Sequence, residues 1–149
     1  MIYVQVAEHI DLPMPVKTVQ AAAQAALTYA SAPDKAELTI VLTGDDQLRQ
    51  LNLQFLGEDS PTDVLSFPAG FTDPDTGAHY LGDILISVPR ALIQAQANNQ
   101  SGEEEIKLLV VHGALHLLGY DHAEAEEQAR MWALQSTILD HISQRADLP

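Results

Sequence analysis

Cysteine is absent from this chain of 149 residues, which excludes disulfides, iron–sulfur ligation and thiol nucleophiles. Histidine and the carboxylates are therefore the ligands left for a tightly held metal. Basic residues are scarce, with seven Lys and Arg against 21 Asp and Glu and a formal net charge of −14. Such a surface repels polyanions at long range and excludes non-specific binding to DNA or to an anionic membrane, so any nucleic-acid role must be local. Long apolar runs are missing too. The most apolar stretch, Ile106 to Leu118, is broken by Lys107, His112 and His116 and is too short to span a bilayer. The start, MIYVQVAEHIDLP, lacks the basic residues and apolar run of a signal peptide, so a cytoplasmic location is expected.

What is present reads as a folded protein, at 46% apolar and 19% charged residues. Proline and glycine, eight each, are scattered as punctuation, and no repeat or linker divides the chain, so one domain over residues 1–149 is expected. Ile2, Val4 and Val6 alternate with polar neighbours as in a strand. The alanine-rich segment Val16 to Ala30 reads as a helix, and Leu38 to Leu42 as a central strand. After Gly44, the Asp45–Asp46 pair is read as the cap of a helix that runs to about Leu56 and ends at Gly57. Asp63 to Phe67 reads as a third strand ended by Pro68, and Tyr80 to Ser87 as a fourth, with a loop of about ten residues between them. That pair suggests an antiparallel hairpin, whereas the earlier alternation of strands and helices suggests parallel pairing. Three helices close the chain: Arg90 to about Asn98, Gly102 to about Leu118, and Ala123 to about Ser143. Ser101 and Glu104 form a capping box for the middle one. In the last, Ala125, Ala129, Trp132, Ser136, Leu139 and Ile142 recur at helical steps and mark the expected core face. The fold expected is α+β, a mixed four-stranded sheet packed with about five helices.

Chemistry concentrates in the run His112-Gly113-Ala114-Leu115-His116-Leu117-Leu118-Gly119-Tyr120-Asp121-His122. Residues four apart share a helix face, so His112 and His116 present two imidazoles to one ion, and Gly119 lets the chain reverse so that His122 returns to the same point. Two imidazoles set among leucines and valines would otherwise be desolvated without a partner. Three neutral histidines with no fourth protein ligand describe a catalytic zinc site, whose open position holds and polarises a water; nickel and copper also suit three imidazoles. The spacing equals that of the metzincin proteases, but Gly113 stands where those enzymes carry their general-base glutamate, which argues against a conventional metalloprotease.

The chain resembles the bacterial YbeY endoribonucleases in three blocks: Ser60 to Pro68 (SPTDVLSFP), Leu81 to Ile84 (LGDI), and His112 to His122 (HGALHLLGYDH). The resemblance implies a zinc-dependent endoribonuclease that prefers single strands, matures ribosomal RNA ends of the small subunit and takes part in ribosome quality control. It implies ribosomal RNA and the ribosome or its proteins as partners, neither DNA nor membrane, and His112, His116 and His122 on one Zn2+. One departure is visible. Leu56 occupies the place next to Gly57 where the family usually carries an arginine able to clamp a phosphate, and Arg90 or Arg49 are the cations nearby in motif order.

Asp63 and Asp83, inside matching blocks, are read as acceptors for imidazole N–H groups or as a general base, against a turn cap and an edge-strand carboxylate. Ser66 and Phe67 are cleft candidates, with core packing the plainer role for Phe67. Tyr120 either donates to a phosphate or staples the turn, and Asp121 with Glu124 fits a helix start. Two rivals accompany the endoribonuclease reading: a zinc hydrolase of another substrate, and a non-catalytic metal-binding module associated with the ribosome.

Overall fold

The computed structural model describes the backbone of residues 1–146 and the side chains of residues 1–143. The elements run β1 (Ile2–Val6), α1 (Val16–Tyr29), β2 (Ala36–Thr43), α2 (Asp45–Leu56), β3 (Val64–Thr72), β4 (His79–Ser87), α3 (Val88–Ala97), α4 (Gly102–Leu117) and α5 (Ala125–Ala146). The four strands form one sheet in the order β1-β2-β4-β3, with β1/β2 and β2/β4 parallel and β3/β4 antiparallel. The expected α+β fold with a mixed sheet is the one observed.

Alternation along the strands gives the sheet two unlike faces. Leu38, Ile40, Leu42, Ile84 and Ile86 are fully buried on one face, in a core shared with Val19, Ala22, Ala26, Ile106, Val110, Leu115, Met131 and Ile138. On the other face a smaller cluster of Leu48, Leu65 and Leu85 lies under α2.

Four local expectations are corrected. The strand β3 does not stop at Pro68 but continues to Thr72, with a register shift between Pro68 and Phe71, so the connection to β4 is shorter than expected. Because β3 is an edge strand, the missing proline N–H breaks no central ladder. The helix α3 begins at Val88 rather than Arg90, because Ser87 Oγ accepts the Arg90 N–H at 3.3 Å and so acts as its cap. Asp45 and Asp46 lie inside the first turn of α2, whose cap position is Gly44.

The largest correction concerns α5. Met131 and Ile138 are fully buried and Leu134, Leu139 and Ile142 pack on the core, whereas Ala125, Ala129 and Ser136 are exposed and Trp132 is 49% exposed. The helix starts two residues later than expected, and Asp121 lies before it, accepting the His122 backbone N–H at 2.7 Å. A core side chain is worth about 1.5–3 kcal/mol when buried. Turning Met131, Leu134 and Ile138 inward therefore outweighs burying Trp132 alone.

Candidate metal centre

The helix α4 is built to carry a polar pair through an apolar environment. Ser101 Oγ accepts the Glu104 N–H at 3.1 Å, as the capping box requires, and Glu103, Glu104 and Glu105 occupy the first turn at the positive end of the dipole. At the far end, Gly119 adopts φ 97, a left-handed conformation that reverses the chain after α4.

The reversal brings His122 back to His112 and His116. One ring nitrogen from each of the three lies within 4.8 Å of the others, and among the described residues no further His, Asp or Glu joins the group. Ring centroids are 4.6 Å apart for His112 and His116, 5.1 Å for His116 and His122, and 5.7 Å for His112 and His122. His112 and His116 are half-buried and His122 is exposed, so the cluster opens on one side to solvent.

Two observations show that the donor set fits a divalent ion. Burial, the largest cause, holds the His112 and His116 pKa values below the usual 6.5, so both rings are neutral at pH 7 with lone pairs free. His112 Nδ1 meets Gln135 Oε1 at 3.1 Å, and an amide oxygen only accepts, so Nδ1 carries the proton and Nε2 is left unprotonated. That Nε2 lies 3.1 Å from Nε2 of His116, a pairing of basic nitrogens that a proton or a cation between them resolves.

Gly113 has a packing reason. A Cβ there would meet Ile84 Cγ2 at 2.7 Å and Ser66 Oγ at 3.2 Å, so the position that holds glutamate in metzincins is closed against the sheet here. Ser66, on β3, donates through Oγ to the Gly113 carbonyl at 3.4 Å and thus lies beside the helix turn that bears His112.

The other expected residues divide. Asp63 precedes β3, and its charge is felt at His112, Arg90 and Glu105. Its carboxylate meets the Gln94 side chain rather than capping a turn. Asp83 is not brought to the imidazoles. It alternates with the buried Ile84, lies on the opposite sheet face and accepts a hydrogen bond from Tyr80; its strand is interior rather than an edge. Phe67 shares that opposite face, with its ring 5.3 Å from Phe55. Tyr120 packs on the main core.

Neither cation near Leu56 is idle. Arg90 makes a forked pair with Asp45, Nη2 to Oδ2 at 2.6 Å and Nε to Oδ1 at 3.3 Å, and Arg49 is paired with Asp59 at 2.7 Å. Leu56 itself is 64% exposed.

Sequence reasoning missed Gln135, Gln94 and Glu105. Glu105 carries a readable signal, seven residues before His112 and hence on the same face of α4. The two glutamines carry none, since their partners lie on other elements.

Fold and site together define an α+β protein with a cluster of three histidines, able to hold a metal ion, on a helix and its following turn. The family model described as Endoribonuclease YbeY matches residues 4–143, and the chain belongs to that family. It is 44% identical over 110 residues to the endoribonuclease YbeY of Persephonella marina, covering 73% of this chain and 72% of that one. It is 38% identical over 136 residues to the protein of the same name from Lachnoclostridium phytofermentans, covering 80% and 82%. The solution structure of a Thermotoga maritima protein superposes with a TM-score of 0.64 at 26% identity, covering 99% of this chain and 93% of that one.

Proposed function

We propose that this chain is a zinc-dependent endoribonuclease that cleaves single-stranded segments of ribosomal RNA in the cytoplasm, in small-subunit maturation and ribosome quality control. The observation that carries the reading is the convergence of three imidazole nitrogens within 4.8 Å, open to solvent at His122, in a member of the YbeY family. His112, His116 and His122 would hold the ion. Zinc bound there supplies Lewis acidity toward a phosphate and a source of nucleophilic oxygen near neutral pH.

The chain's own groups do the rest. Gln135 orients the His112 imidazole. Asp63, whose charge reaches His112, would accept a proton there, and Ser66, bonded to the Gly113 carbonyl, would line the approach. With a net charge of −14 and Arg90 held by Asp45, RNA recognition leans on base contacts and on ribosomal partners rather than on a basic groove. No helix among the described residues is long and apolar enough to cross a membrane.

A second reading, a non-catalytic ribosome-associated metal-binding module, is favoured by Leu56 in the arginine's place and by the pairing of Arg49 with Asp59 and of Arg90 with Asp45. Incubating the zinc-loaded protein with single-stranded and structured RNA, with and without chelator and beside His116→Ala, decides between them. Chelator-sensitive cleavage that His116→Ala loses supports the enzyme. Intact RNA together with retained binding to ribosomal particles supports the module, and intact RNA without such binding points to a zinc hydrolase of another substrate.

A further inference from the structure

Beyond the three histidines, one polar cluster is built on a buried carboxyl group. Glu105 is 4% exposed, and its Oε2 has no hydrogen-bond partner among the described residues. Its other oxygen faces the side chain of Gln94 on α3. With the amide oriented to satisfy its neighbours, Gln94 Nε2 donates to Glu105 Oε1 and to Asp63 Oδ2, each at 3.1 Å. A primary amide has two N–H groups, so one glutamine bridges two carboxyl groups and uses both donors.

Two ionised carboxylates sharing a single amide would repel each other, and one is sealed from water. Burial, followed by the Asp63 charge, raises the Glu105 pKa above its usual 4.5. Asp63 is less buried, and its charge reaches both His112 and Arg90.

We propose that Gln94, backed by Glu105, is a positioning residue that holds the Asp63 carboxylate on the side of α4 that carries His112. The inference rests on the endoribonuclease reading for Asp63 as proton acceptor. It adds a clamp assembled from α3, α4 and the start of β3, which ties the general base to the helix that carries His112. Glu105 serves as a buried acceptor that fixes the amide.

The test compares wild type with Gln94→Met, which keeps the length of the side chain and removes both donors, and with Glu105→Gln and Glu105→Leu. Zinc per chain, kcat, KM and the pH–rate profile are measured for each. Gln94→Met is expected to lose about tenfold or more in kcat, with an altered pH profile but unchanged KM and zinc content. Glu105→Gln, a neutral acceptor, is expected within about twofold of wild type, and Glu105→Leu to fall with Gln94→Met. A folded Gln94→Met with wild-type kcat and profile overturns the proposal, as does Glu105→Gln failing as badly as Glu105→Leu.

A second readout does not need activity. The carboxyl carbon of Glu105, followed by NMR, is expected to titrate above its usual range in wild type and at lower pH in Asp63→Asn, where the like charge is gone. An ordinary Glu105 titration that ignores Asp63→Asn overturns the clamp. If the titration is as expected while wild type leaves RNA intact, the endoribonuclease reading fails, and with it the catalytic purpose given to the clamp.

Discussion

His112 Nδ1 and Gln135 Oε1 meet at 3.1 Å although the two residues sit on different helices, α4 and α5, and 23 positions apart. The contact selects one tautomer and points the other ring nitrogen into the cluster. Groups that orient a metal-bound imidazole in this way typically change affinity by 10–100-fold. Gln135→Leu is accordingly expected to weaken zinc binding at least about tenfold in a chelator competition, with the circular dichroism spectrum unchanged. Unchanged affinity would show that packing alone orients His112.

The rotated face of α5 makes a stability prediction. Met131→Ala empties a fully buried position and should cost about 2–5 kcal/mol, whereas Trp132→Ala, at a half-exposed site, should cost less than about 1 kcal/mol. Urea titrations of the two variants check the order, which reverses if the tryptophan stripe faces inward.

Leu56→Arg places a cation at a side chain that is 64% exposed. Wild type should bind single-stranded RNA weakly and with a shallow dependence on salt. The variant should bind more tightly and steepen the slope of log K against log salt by about 0.7 for one added phosphate contact. A steep slope already present in wild type would reveal a basic groove and count against recognition by base contacts.

Acid stability should report on Asp45. The hydrogen bonds from Arg90, the largest cause, hold its carboxyl below the usual 3.8. For a carboxyl with a lowered folded pKa, the stabilisation is present above the unfolded value and disappears as pH falls through the folded one. Arg90→Met removes the donors, so its acid-unfolding midpoint should move to higher pH while the two proteins differ little in pH-dependence at neutrality. Following tryptophan fluorescence from pH 7 down to 2 checks this.

Much of the site was legible because its determinants are local. The four-residue step from His112 to His116 and the reversal at Gly119 depend only on helix geometry and on a left-handed glycine, and both are found. The hairpin boundary is not legible in the sequence because proline normally ends a strand, and only the place of Pro68 at a sheet edge removes the penalty. The face of α5 is not legible either, because two apolar stripes overlap on it and the choice depends on what α4 and α1 offer.

The amino-acid order alone determined the elements that rest on short-range physics: the α+β pattern, the capped helix α4 and the spacing that lets three imidazoles converge. Tertiary structure decided everything that needed a partner from elsewhere in the chain. It set Asp83 on the far face of the sheet and Asp63 on the near side, committed Arg90 to Asp45, and supplied Gln135 and Gln94 to groups that no local pattern links to them. The reason is that strand alternation and helix packing choose which of two faces a side chain occupies, and that choice is made by the whole core at once.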